Sequence, residues 1–177
     1  MTQAAMVIVN RQVVDNNWLH LQDDNVLPAS GDISVSLERW TNESAALSGH
    51  GGKLGVRLAN TVDIEEVYST IKDSSMIVLE FPIIDTNKRG YHPDGKAYSQ
   101  ARVLRESCGY TGEIRAIGEE VIGDVIGYME RCGINAFELR EGEDLGDALA
   151  RFSEFNQAYQ GAAAGPQPIF LRRRAEQ

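Results

Sequence analysis

The sequence predicts an α/β fold: a mostly parallel sheet with alternating helices, entered through an N-terminal β-hairpin. Three observations predict it. From residue 55 onward, short apolar runs alternate with segments of helical period at least four times. The run MIVLEF, residues 76–81, is almost continuously apolar, as in a strand covered on both faces. The chain has 177 residues, enough for one self-sufficient core but short of the ~250 of a complete eight-stranded barrel. An open sheet with right-handed crossovers is therefore favoured, and a partial (βα) barrel is the alternative, because periodicity does not fix closure.

Each element follows from its residues. MVIVNRQVV (6–14) and WLHLQ (18–22) read as the two arms of the hairpin, with the turn residues Asp15, Asn16 and Asn17 between them. ISVSL (33–37) alternates as a strand and runs into a weak helix, ERWTNESAAL (38–47), and the connector HGGKLG. GVRLA (55–59) is a strand. DIEEVYSTIK (63–72) is a helix with Ile64, Val67, Tyr68 and Ile71 on one face and Asp63 and Glu66 at capping-box spacing. Pro82 ends the MIVLEF strand. AYSQARVLRESC (97–108) is a helix with Ala97, Ala101, Leu104 and Cys108 in a stripe and Gly109 as its C-terminal cap. EIRAI (113–117) is a strand, EEVIGDVIGYMERC (119–132) a helix, AFELR (136–140) a strand and LGDALARFSEFNQAY (145–159) the last helix. Residues 1–165 form one domain, and 166–177 are a loosely ordered tail.

Seventeen basic residues against 26 acidic ones leave a net charge of −9, which repels phosphate backbones and anionic lipid. No nucleic acid and no membrane is expected as a partner, and no apolar run approaches the ~20 residues of a membrane helix. The N-terminus lacks the basic cluster of a signal peptide, and the two cysteines do not make a disulfide framework. The expectation is a reduced, cytoplasmic protein. A homo-oligomer stays open.

Parallel α/β folds bind ligands at the carboxyl ends of their strands. The connection after MIVLEF, PIIDTNKRGYHPDGK, is long enough to stand out, and such loops are often functional. It carries Lys88, Arg89, His92, Asp94, Gly95 and Lys96, and the following helix adds Tyr98, Ser99, Arg102 and Arg105. Backbone N–H groups at that helix start, flanked by basic side chains, suit an anion. A structural reading stands beside it: HPDG fits a type I turn, Asp94 alternatively caps the helix, and Arg102 and Arg105 form a solvated face.

Other motifs fail on spacing. GHGGKLG (49–55) lacks the Walker pattern and precedes a strand where a dinucleotide fingerprint follows one. His20, His50 and His92 have no metal-ligand spacing, so no metal is expected. Glu80, Glu119, Glu138 and Glu141 lie near strand ends, where each is a candidate acid or base or an ordinary charged terminus. No flavin, nicotinamide, haem or iron–sulfur motif is present, and the cofactor is unknown.

EFP, DGKAYSQARVLRE, GYTGEIRAIGE and RCGINAFELREGED together resemble a bacterial domain-of-unknown-function family described as oxidoreductases of sulfite reduction, encoded beside assimilatory sulfite reductase. The resemblance runs from about ISVSLERW to FNQAY. Its D-G motif falls on Asp94, Gly95, Lys96, Tyr98, Ser99, Ala101, Arg102 and Arg105. The loop before it departs from the family, with IIDTNKRGYHP where a more direct passage through a phenylalanine is usual. The resemblance implies an accessory protein of sulfur assimilation, a nominal oxidoreductase or a partner of sulfite reductase or its electron donor. The alternative is an enzyme or binding protein for a small phosphorylated metabolite.

Overall fold

The computed structural model describes residues 5–84, 92–93, 95–153 and 161–163. Among these residues ten strands and six α-helices follow the order β1 (Met6–Val9), β2 (Gln12–Asp15), β3 (Trp18–His20), β4 (Asp32–Ser36), α1 (Leu37–Asn42), α2 (Ser44–Ser48), β5 (Leu54–Leu58), α3 (Ile64–Ile71) and β6 (Met76–Glu80). Then come β7 (Ile83–Ile84), β8 (His92–Pro93), α4 (Lys96–Arg102), β9 (Glu113–Ile117), α5 (Ile126–Arg131), β10 (Ala136–Phe137) and α6 (Leu145–Arg151). Eight strands form one sheet in the order β2-β1-β10-β9-β6-β5-β4-β3, and β7 and β8 pair separately.

The sheet is curled into a half-barrel, so the partial-barrel alternative fits, and its edge strands β2 and β3 do not pair to close it. It is also mixed and not mostly parallel, because β1 runs antiparallel to both of its neighbours, β2 and β10. The curl has a visible cause in the chain path. β2 and β3 lie at opposite edges of the sheet, yet only Asn16 and Asn17 separate them in sequence. The two edges are thus drawn together at one end.

The N-terminal strands do form an antiparallel hairpin, but its turn is not the one expected. It falls inside MVIVNRQVV, at Asn10 (φ 49°) and Arg11 (φ 62°), the pair of positive φ values that a two-residue turn matching strand twist requires. Arginine is a poor residue for that conformation. Arg11 is held there by a bidentate bond to Glu130, at 2.8 and 2.7 Å, and by packing of its guanidinium over the Phe152 ring. WLHLQ is then free to leave the hairpin and pair parallel with β4.

Alternation along the strands sorts side chains onto two faces. Val56, Leu58, Ile77, Leu79, Ile114, Ala116 and Phe137 face the helices and pack with Ile64, Ile71, Ala101, Leu104, Ile126 and Met129. The opposite, concave face has a small apolar floor of Trp18, Met76 and Val78, with Ile117 against it. Charged and polar side chains occupy the rest.

Several helices are shorter than their periodicity predicts. The weak helix over 38–47 breaks into α1 and α2 at Glu43. The helix expected over 119–132 begins only at Ile126. Gly118 there has φ 121°, and its backbone lies so close to the Phe81 carbonyl that a Cβ would collide with it. Glu120 N–H then donates to Phe81 O and Gly123 N–H to Glu143, pairings that turn the chain before a helix can start. α4 continues through a π-helical turn, Val103–Ser107. α6 is described to Arg151, and the rest of the expected last helix lies largely outside the described residues.

Candidate functional site

Six strands run parallel through β3, β4, β5, β6, β9 and β10, and their carboxyl ends share one mouth of the half-barrel. On the concave face there, β3 ends on His20, β5 presents Arg57, β6 ends on Glu80, and Glu138 directly follows β10. This is where α/β folds place their sites.

A buried polar network links these strands. Glu138 Oε1 accepts from His20 Nε2 at 2.8 Å, from an Arg115 terminal nitrogen at 2.9 Å and from Asn16 Nδ2 at 3.0 Å. Because a carboxylate only accepts, the His20 ring carries a proton on Nε2, and its Nδ1 is hydrogen-bonded to the Ser34 hydroxyl. Arg115, only 2% exposed, also donates to Asn16 Oδ1 at 2.9 Å and through Nε to Glu113 at 2.8 Å, and lies over the Trp18 ring. A buried guanidinium needs such compensation on every side. Closer to the mouth, Arg57 Nε pairs with Glu80 Oε1 at 3.1 Å and donates from its fork to Leu21 O.

Burial alone pushes the Glu138 carboxyl pKa up. The bonds and positive charge of His20 and Arg115 together outweigh burial and hold it below its ordinary value of 4.5. Glu138 is therefore ionised at neutral pH. The Ser34–His20–Glu138 chain has the order of a nucleophile, base and orienting acid, but Ser34 is fully buried and cannot meet a substrate. Its chemistry is to fix His20 and Glu138 in place.

The loop and helix singled out from the sequence divide differently. Lys88, Arg89 and Asp94 lie outside the described residues. The backbone of His92 pairs with Ile84 in the small β7–β8 ladder. Gly95 is the N-cap of α4 at φ −65°, an ordinary conformation. Tyr98 packs edge-on to Phe81, ring centroids 5.2 Å apart. Arg105 is turned into the protein: it donates to the carbonyls of Gly133, Tyr110 and Gly112 and to Asn135 Oδ1, tying together the chain ahead of β9 and β10. The π turn carries it to that position.

Lys96 and Ser99 face outward and line a groove of about 430 Å³ between the starts of α3 and α4. Asn60, Thr61, Asp63 and Glu65 form its other wall, and Gln100 anchors that wall by donating to Ala59 O and Val62 O. Asp63 caps α3 as expected, but it accepts from Glu65 N–H and not from the Glu66 N–H that the capping-box spacing predicts. Arg102 stands exposed in an i,i+4 pair with Glu106. Asp63 and Glu65 outnumber Lys96 in the groove, so it is less suited to a free anion than the helix start alone suggests.

Two other expectations resolve as packing. Gly52 touches the backbone of Gly31 so closely that no Cβ fits, and His50 bonds Pro28 O and Gly31 O, so the glycine run at 49–55 closes one loop on another. Cys108 and Cys132 are free, and burial raises both thiols above their ordinary pKa, which keeps them protonated. Among the described residues no group of three His, Cys, Asp or Glu is placed to hold a metal ion, and no helix is long and apolar enough to cross a membrane.

Asn16, His20, Ser34 and Arg115 escape a reading of motifs. The signal that could have found the face is alternation: WLHLQ, ISVSL, GVRLA, EIRAI and AFELR each place a polar residue between two apolar ones. Glu80 and Glu138, taken from the sequence only as strand-end acids, lie on that face, whereas Glu119 and Glu141 are exposed.

Fold and site together define an α/β half-barrel protein with a buried ionic network at the carboxyl ends of its strands. Residues 55–170 match the family of bacterial proteins of unknown function DUF934, and the chain belongs to that family. The match takes in Arg57, Glu80, Arg115 and Glu138, while Asn16, His20 and Ser34 precede it. No curated protein matches the chain.

Proposed function

We propose that this protein is an accessory component of assimilatory sulfite reduction that docks on sulfite reductase or on its electron donor. The resemblance of its motifs supplies the pathway. The observation that supports docking is the division of the D-G motif on α4. Ala101 and Arg105 point into the protein, whereas Lys96, Ser99 and Arg102 stand on its surface. Beside them are the carboxylates Asp63 and Glu65. A surface of mixed charge suits a complementary protein face, and the net charge of −9 favours a basic partner.

Sulfide formation from sulfite is measured in extracts of a strain lacking the protein, before and after the purified chain is added back. Restoration by the wild type and not by Lys96→Ala or Arg102→Ala is expected. Arg102 is exposed and its ion pair among the described residues is an exposed i,i+4 pair with Glu106, so its loss leaves the fold intact and the readout reports function. Equal sulfide formation with and without the protein removes it from the pathway. Co-sedimentation of the wild type with sulfite reductase, lost in the same variants, separates docking from catalysis.

A further inference from the structure

Gln100 is 5% exposed, and only one arm of its carboxamide is used. Nε2 donates to Ala59 O at 2.9 Å and to Val62 O at 2.8 Å, two acceptors that fix which arm is the nitrogen. Oε1 is buried and accepts no hydrogen bond. A buried carbonyl without a donor is uncommon in a folded chain. Gln100 lines the groove of about 430 Å³ between the starts of α3 and α4, so the groove is the side from which a donor comes. More acceptors stand on the opposite wall. Asp63 spends Oδ1 on the Glu65 N–H, and no described residue donates to its Oδ2 or to the Glu65 carboxylate.

We propose that this groove receives an arginine side chain of the docking partner, its guanidinium shared between Glu65, Asp63 and Gln100 Oε1. The inference rests on the docking reading and adds what the partner presents. The unfilled positions are all acceptors, so the ligand must donate. Two carboxylates face the single ammonium of Lys96, which favours a cation over an anion. A planar fork with five N–H groups serves several acceptors at once better than a compact ammonium does. Val62, Ile64 and Val103 line the same groove and offer an apolar surface to the methylenes and to the weakly hydrated guanidinium face. A divalent cation asks for six or so oxygen ligands, and among the described residues no three carboxylate, imidazole or thiol side chains are grouped to hold one.

The test follows the side-chain amide resonance of Gln100 in the isotope-labelled full chain, assigned by through-bond correlation. N-acetyl-arginine methylamide, its citrulline counterpart and its lysine counterpart are titrated at matched ionic strength. The arginine compound is expected to move the Gln100 signal along a saturating curve. Citrulline has nearly the same shape and no charge, and lysine has the charge without the planar fork. Each is expected to bind roughly tenfold more weakly or worse. Glu65→Gln, at an exposed position, is expected to weaken arginine binding by a similar factor while keeping the fold. No saturation by the arginine compound, equal binding of citrulline or lysine, or unchanged affinity in Glu65→Gln overturns the inference. Co-sedimentation with sulfite reductase separates it from the docking reading. If Glu65→Gln loses arginine binding yet still co-sediments, the inference fails and docking stands. Arginine binding by a wild-type chain that does not co-sediment supports the groove and removes sulfite reductase as the partner.

Discussion

His20 Nε2 lies 2.8 Å from Glu138 Oε1, which joins the end of the edge strand β3 to a residue 118 positions away beyond β10. In the sheet order four strands stand between β3 and β10. Only a curled sheet brings them into contact across its concave face, so this one bond reports the curl. The same carboxylate receives Arg115, and the network is therefore a clamp as well as a candidate site.

Arg115 is the residue whose loss should cost the fold most. Arg115→Leu leaves Glu138 and Glu113 without their buried cation, and destabilisation of about 3–5 kcal/mol is expected by urea unfolding. The double variant Arg115→Leu/Glu138→Leu should recover part of that loss, because it removes the stranded charge. A double variant less stable than the sum of the two singles would argue against the clamp.

Glu138 makes stability depend on pH in a defined direction. Its pKa is depressed in the folded chain below 4.5, so the unfolded chain binds the proton more readily. The stabilisation is fully present above the unfolded value of about 4.3 and is lost as pH falls through the folded value. Wild type should be more stable than Glu138→Gln at neutral pH, and the gap should close on acidification below about pH 4. Parallel acid-unfolding curves for the two chains would show that Glu138 is not the group responsible.

Arg105 belongs to the scaffold. Arg105→Ala strands four acceptors, the carbonyls of Gly133, Tyr110 and Gly112 and Asn135 Oδ1, and should destabilise by on the order of 3 kcal/mol. Arg105→Lys should recover only a minor share, since an ammonium cannot reproduce the planar fork. Thermal melts of the three chains distinguish these outcomes.

Gly118 holds the one close approach that ends β9. At φ 121°, with the Phe81 carbonyl against its Cα, it admits no side chain. Gly118→Ala should cost about 2 kcal/mol or more and loosen the 118–125 turns. Faster hydrogen exchange at the Glu120 amide, which donates to Phe81 O, is the local readout.

Much of this architecture is legible in the chain. Apolar runs and helical periods locate β4, β5, β6, β9, α3 and α4, because burial of one face is a local pattern repeated along the sequence. Asp63 as a cap is equally local. The misread elements share one physical feature. The hairpin turn at Asn10 and Arg11 depends on Glu130 and Phe152, and the delayed start of α5 depends on Phe81 O and Glu143, partners that no local window contains.

The sites divide in the same way. By itself the sequence determined the α/β class, the acidic balance and the surface residues Lys96, Ser99 and Arg102 on the start of a helix, since composition and spacing are properties of neighbours in the chain. It also determined that polar residues alternate with apolar ones along the strands. Only the tertiary structure decided which of those polar residues meet. Curling brought Asn16, His20, Arg115 and Glu138 together from three parts of the chain, and the packing of the π turn against the loops before β9 and β10 made Arg105 a tie between those loops and not a ligand contact. Contact across a closing sheet depends on strand order and curvature, and neither is written in any single stretch of residues.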